Sequence, residues 1–265
     1  MVVITLLSDF GLKDPYVAEM KAVILSISPQ ARVVDITHEI EKFNIRMGAF
    51  VLASAAPYFP PNTVHVAVVD PGVGTKRRPI IAETKRGFYV GPDNGLLMLA
   101  AQKEELINVH HITNPKYMLS NVSRTFHGRD IFAPVAAHLA SGMKPSESGL
   151  TIQDYVFPEF VKPKARKREV VGEVIYIDGF GNVISNVSEV DLERGGFREG
   201  GQLFVVLGGK SLTLKFCSAY GEVPRGMALV LVGSSGFLEV AVNQGSALIM
   251  LGAKVGDSFC VSVGA

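Results

Sequence analysis

Strand-like and helix-like patterns alternate over the first seventy residues of this 265-residue chain, and that order leaves few folds open. Val2 to Leu7 is an apolar run of strand length, whereas Tyr16, Met20, Val23, Ile24 and Ile27 recur at helical spacing and stop before Pro29. Val33-Val34-Asp35-Ile36 is a second strand signal, 45–58 a second helical one, and Val64 to Val69 a third strand. Apolar strands separated by helices predict a mostly parallel sheet with helices on its faces. Further strands are expected at 80–82, 88–90 and 107–112, and helices at 96–102 and 130–141.

The second half changes character. Beyond a charged, Pro-containing stretch, short β-branched runs separated by turn residues follow at 170–177, 183–187, 203–207, 212–216, 228–232, 237–242, 247–251 and 258–263. We therefore expect an α/β N-terminal catalytic domain over 1–157, a linker over 158–168, and a smaller all-β, barrel- or sandwich-like, substrate-binding C-terminal domain over 169–265.

With 48% hydrophobic and 19% charged residues, the chain can bury a large core. A net charge of +1 gives no footprint for nucleic acid, and the basic cluster Lys162 to Arg168 is short and broken by Pro163, as in a solvated linker. Cys217 and Cys260 sit among apolar neighbours and read as thiols rather than a disulfide. No run approaches the roughly 20 apolar residues of a membrane span, and Asp9 interrupts the apolar start, so a cytoplasmic location is expected. His110 and His111, adjacent on a strand, point to opposite faces and come with no carboxylate spacing; no metal and no cofactor are expected. Gly208-Gly209-Lys210-Ser211 ends like a phosphate-binding loop, but Phe204 stands where its first glycine belongs, so it reads as a hairpin turn.

The chemistry concentrates at strand ends. Asp70-Pro71-Gly72-Val73-Gly74-Thr75-Lys76-Arg77-Arg78 follows the third strand directly, placing a carboxylate and two guanidinium groups where open α/β sheets bind ligands. Pro71 biases Asp70 toward an extended backbone, Gly72 and Gly74 permit close approach to a ligand, and Arg77 can return its charge to Asp70; a surface turn with an ion pair is the competing reading. Asp9, just past the first strand, serves either to hold ribose hydroxyls or to cap a turn. His127, in Thr125-Phe126-His127-Gly128-Arg129-Asp130, lies at the start of an apolar helix, whose dipole would favour neutral imidazole; it is either structural or a hydrogen-bonding and proton-transferring group. Asp178-Gly179-Phe180-Gly181-Asn182 and the stretch from Gly233 to Glu239 are either plain hairpin loops or a site for a small zwitterionic group.

Asp70 to Arg78, Gly91 to Leu96, Thr125 to Pro134, Asp178 to Asn182 and Ser234 to Gly245 together resemble, in order and approximate spacing, the S-adenosylmethionine hydrolases (adenosine-forming), also called hydroxide adenosyltransferases, which are relatives of fluorinase and chlorinase. The resemblance covers essentially the whole chain. It implies hydrolysis of S-adenosyl-L-methionine to adenosine and L-methionine by in-line attack of water or hydroxide on the ribose 5′ carbon. It places the family's catalytic Asp, Arg and His on Asp70, Arg77 and His127. It further implies ribose binding by Asp9, packing of Phe43 near the nucleoside, contact of Asp178 and Ser234 with the methionine end, and contact of Asn182 with adenine; Asp14 matches a position near the methionine amine, and Glu239 belongs to the same substrate-binding loops. A homotrimer with sites between subunits is implied as well. Fluorinases carry Tyr in place of Asp70 and of His127, and Ser in place of Gly128, so halide-dependent cleavage is the disfavoured alternative, beside a non-catalytic sensor of the same ligand.

Overall fold

The computed structural model describes residues 2–158 and 162–263, and the chain divides into two compact units, Met1–Glu159 and Phe160–Ala265. In the first unit, β1 (Val3–Ser8), β2 (Arg32–Thr37), β3 (Thr63–Val68), β4 (Pro79–Thr84), β5 (Gly87–Pro92) and β6 (Leu106–His111) form one sheet in the order β2-β1-β3-β5-β4-β6. The pairs β1–β2, β1–β3 and β3–β5 are parallel, and β4 runs antiparallel to both its neighbours. The helices are α1 (Tyr16–Ile27), α2 (Ile45–Ala55), α3 (Met98–Lys103) and α4 (Ala133–Ala140). Alternation along the strands splits the core in two. Ile4, Leu6 and Val66 pack with Met20 and Ile24 of α1 and Val135 of α4, whereas Leu7, Ala67 and Val69 pack with Leu52 of α2 and Met98 of α3. The chain thus leaves β1 for one side of the sheet and returns to β3 from the other. This reversal opens a crevice at the carboxyl ends of β1 and β3, the place where open α/β sheets take ligands.

Thr5, His65 and Tyr89 lie in register across β1, β3 and β5. His65 Nδ1 is 2.8 Å from Thr5 Oγ1, and its ring stacks on Tyr89 at 4.8 Å. Burial disfavours the imidazolium and pushes its pKa down to about 4. Below the unfolded value of 6.5 the unfolded chain takes up a proton that the native state refuses, so stability falls as pH drops from 6.5 towards 4. The loss reaches roughly 3 kcal/mol for this one group. Urea unfolding midpoints across that window are expected to fall with pH in the native chain and to fall less in His65→Gln; parallel slopes would contradict the assignment.

The second unit contains β7 (Lys164–Arg166), β8 (Glu169–Ile177), β9 (Val183–Ser188), β10 (Gln202–Leu207), β11 (Lys210–Lys215), β12 (Ala228–Val232), β13 (Phe237–Val242) and β14 (Ser258–Val263). They pair in the order β11-β10-β14-β8-β9-β13-β12, with β7 added beside β8. A bridge from Phe216 to Val230 brings the two ends of the order together, giving a nearly closed barrel around Val170, Val187, Leu238 and Phe259. The two-residue turn Gly208-Gly209 joins β10 to β11 as a hairpin. Part of the stretch read as linker, Lys164 to Arg166, forms the exposed strand β7; residues 159–161 of it lie outside the described residues.

The unit is not purely β. Residues 189–195, where no element was expected, form α5 (Glu189–Gly195), started by a capping box in which Ser188 and Asp191 satisfy each other's backbone N–H groups. The strand expected at 247–251 is instead α6 (Ala247–Leu251). Ser246 Oγ accepts from Ile249 N, Gly252 closes the turn at φ 67°, and the buried pair Ala247 and Leu251 has i, i+4 spacing. An apolar run this short does not distinguish strand from helix by its pattern; the cap on each side decides it. Among the described residues, no helix is long and apolar enough to cross a membrane.

Candidate active site

The crevice at the ends of β1 and β3 holds a cavity of about 210 Å³ lined by Asp9, Asp14, Lys42, Phe43, Asp70 and His127, among others. Asp70 follows β3 by two residues and turns its carboxylate inward, where the side chain is only 5% exposed. Arg77 reaches back across the turn with a two-pronged grip: Nε donates to Asp70 Oδ1 at 3.1 Å, and Nη2 donates to Oδ2. The same Nη2 lies 3.0 Å from His127 Nδ1, so one guanidinium joins the three residues.

A guanidinium can only donate hydrogen bonds, so His127 Nδ1 must accept. The imidazole is therefore neutral with its proton on Nε2. Burial, reinforced by the Arg77 charge, lowers the His127 pKa and favours the same state. Burial and Arg77 act beside the helix dipole expected from sequence: His127 stands at the N-cap of a π-helical segment, Gly128–Phe132, that leads into α4. Asp70 shifts the other way. Burial raises its pKa, opposed by the charge and hydrogen bonds of Arg77, so the carboxylate gains basicity.

Gly74 explains how the two loops meet. Its φ is +74°, and a Cβ there would lie 2.2 Å from the Arg124 carbonyl oxygen, so glycine alone lets the Asp70 turn settle on the segment that carries His127. The close approach is thus to backbone rather than to a ligand, and Gly72 has ordinary contacts.

Asp9 is buried at the end of β1, and its Oδ2 accepts from Phe43 N at 2.9 Å. Lys42 Nζ donates to the Asp9 carbonyl. Phe43 is held at φ 64° and is 67% exposed, an expensive arrangement for an aromatic residue unless something covers it. Behind Asp9, Ser8 Oγ accepts from Phe10 N at 3.3 Å and lies 2.7 Å from His38 Nδ1, which fixes the loop.

The second unit has its own cavity, of about 610 Å³, lined by Asp178, Phe180, Asn182, Tyr220, Ser234 and Val242, among others. Asp178 shapes its loop: Oδ1 accepts from Phe180 N and Asn182 N, and Oδ2 from Asn182 Nδ2, all at 2.9 Å. Glu239 does not line the cavity. It is buried behind it, where Oε1 accepts from Tyr220 Oη at 2.6 Å, and burial raises its pKa.

The structure thus brings Asp70, Arg77 and His127 together beside Asp9 and Phe43, and gathers Asp178, Asn182 and Ser234 at a second cavity. Tyr16, Lys42, Phe126 and Tyr220 line these cavities without having been singled out. Lys42 adjoins Phe43 and Phe126 adjoins His127, which were usable signals; Tyr16 carries the apolar spacing of an ordinary helix.

Models of the SAM hydroxide adenosyltransferase N-terminal and C-terminal domains match residues 4–149 and 172–260. The chain is 42% identical over 257 residues to the (R)-S-adenosyl-L-methionine hydrolase of Thermus thermophilus, covering 94% of this chain and 95% of that one. It is 29% identical over 294 residues to a fluorinase of Nocardia brasiliensis, covering 99% and 97%. An uncharacterised conserved protein from Thermotoga maritima superimposes with a TM-score of 0.93 at 41% identity, covering 98% of this chain and 99% of that one.

Proposed function

The chain belongs to the SAM hydroxide adenosyltransferase family, and we propose on that footing that it hydrolyses S-adenosyl-L-methionine to adenosine and L-methionine, with Asp70, Arg77 and His127 as its catalytic group. The observation that carries this reading is the shared guanidinium, which joins a buried carboxylate to a neutral imidazole at the end of β3.

The leaving group is a neutral thioether, so no acid is needed; the difficulty is supplying a nucleophile. Water attacks C5′ in line, the C5′–O bond forms as the C5′–S bond breaks, and one proton is released. Arg77 cannot accept that proton, and His127 Nδ1 already accepts from Arg77 while Nε2 carries hydrogen. Asp70 is the remaining acceptor, since its carboxylate offers about four lone-pair sites against two bonds from Arg77 and one from the Gly72 backbone. His127 Nε2–H, and Arg77 Nη1–H, which is buried without a protein partner, are donors to the attacking oxygen. Attack of a hydroxide-like oxygen on a sulfonium neutralises charge, so a water-poor cavity favours it.

Asp9 takes the ribose hydroxyls, Phe43 packs on the nucleoside, Asn182 meets adenine, and Asp178 and Ser234 hold the methionine end; Glu239 acts from behind by orienting Tyr220. The same reading includes a homotrimer that pairs one subunit's first cavity with its neighbour's second. Exposed Phe43 and Leu12 on the first unit, and Phe180 and Ile249 on the second, support such contacts. Free thiols at Cys217 and Cys260 suit a reducing cytoplasm. The names of the relatives point to the (R)-sulfonium diastereomer as the substrate.

Incubation with each sulfonium epimer, with and without chloride or fluoride, tests the reading by product analysis. Adenosine and methionine are expected from the (R) epimer at a rate independent of halide. A halogenated nucleoside as the main product would overturn the hydrolase reading, and bound but unconsumed substrate would favour a sensor.

A further inference from the structure

The segment Gly91-Pro92-Asp93-Asn94-Gly95-Leu96 carries part of the family likeness yet lines neither cavity. Asn94 Nδ2 donates to the carbonyl of Val69, immediately before Asp70, at 2.9 Å. Its Oδ1 accepts from Leu96 N at 3.2 Å, so the amide has one orientation that serves both partners. One residue earlier, Asp93 N donates at 2.9 Å to the carbonyl of Arg78, immediately after Arg77. The Asp93 carboxylate also accepts from Arg78 Nε at 2.9 Å and Nη2 at 2.6 Å, and is braced by Val156 N at 2.8 Å. Two consecutive residues therefore grip both ends of the loop that bears Asp70 and Arg77. Between these anchors the loop is a Pro-Gly turn whose Pro71, Gly74, Thr75 and Lys76 are exposed.

We propose that Asn94, together with Asp93, is a positioning residue for the hydrolysis: it sets the placement of Asp70 against the attacking water without touching the substrate. The inference rests on the hydrolase reading above. A displacement of about 1 Å at a reacting group can cost about a hundredfold in rate, so an anchor one residue from Asp70 acts on the chemical step. Asp9 and Phe43, assigned to the ribose, hang from β1 and the segment before α2 and bond to each other rather than to this loop.

Asn94→Asp tests it, because the side chain keeps its shape and loses the donor. Turnover of S-adenosylmethionine is expected to fall by about tenfold to a hundredfold, while KM and the Kd for adenosine stay within about twofold. A protonated Asp at this position can donate to Val69 again, so the deficit relative to wild type is expected to narrow as pH falls. Arg78→Gln, which removes the side-chain grip on the other end of the loop and leaves the backbone bond from Asp93, carries the same expectation of lost kcat with retained adenosine affinity, and covers the case of an unfolded Asn94→Asp. An inactive wild-type protein would overturn the hydrolase reading and this inference with it. An active wild type with either folded variant at wild-type kcat, or with kcat and adenosine affinity falling together, would overturn this inference alone.

Discussion

Asp70→Asn is expected to lower kcat for S-adenosylmethionine hydrolysis by about a thousandfold or more, the scale of losing a positioned general base, while adenosine binds with near wild-type affinity. The amide keeps the size of the carboxylate and loses the capacity to take the proton from water. Binding persists because the groups assigned to the nucleoside, Asp9 and Phe43, are held by their own bond at 2.9 Å. Single-turnover assays and calorimetric adenosine titrations separate the two effects. Turnover within tenfold of wild type would remove Asp70 from the mechanism, and the proton would have to leave with bulk hydroxide.

Arg77→Met is expected to produce the next largest effect, on both rate and stability. Arg77 and Asp70 are 7% and 5% exposed, so removing the guanidinium strands a buried carboxylate. Breaking a pair of this kind costs on the order of 3–5 kcal/mol. The sign of its pH dependence follows from Asp70. Arg77 lowers the pKa that burial raises, so without it the pKa rises further. The penalty holds above that raised pKa, where Asp70 is charged in both states, and fades as the pH falls through it and the native carboxyl becomes neutral. Thermal unfolding of the variant is therefore expected to lie closest to wild type in acid and to fall further behind as the pH rises through that raised value. Turnover should fall by about a hundredfold or more, with the acidic limb of kcat/KM moved to higher pH. A uniform stability loss across pH would contradict the charge argument.

Much of this site was legible because its chemistry follows directly on strong periodic signals. Asp70 stands at the end of a buried strand and Arg77 within the turn that follows, so the length of the turn placed them within reach of each other. His127 was marked by the apolar helix beyond it, but the burial and the Arg77 contact that also favour its neutral form are ones no local pattern encodes. Gly74 was noticed for the wrong neighbour, because its requirement arises from a carbonyl fifty residues away in sequence. The packing of Ser8 against His38, and of Tyr220 against Glu239, likewise depends on strand register and loop closure rather than spacing. The fold was readable wherever runs were long. It was misread at 247–251, where five apolar residues fit either period and the Ser246 and Gly252 caps decide for helix.

The central claim, that Asp70 directs a water molecule onto C5′, is tested most directly by hydrolysis in oxygen-18 water followed by mass spectrometry of both products. The expected result is one solvent oxygen in the 5′ hydroxyl of adenosine, unlabelled methionine, and no change in this distribution when chloride or fluoride is present. Adenosine formed without solvent oxygen, or a halogenated nucleoside preceding it, would contradict the claim.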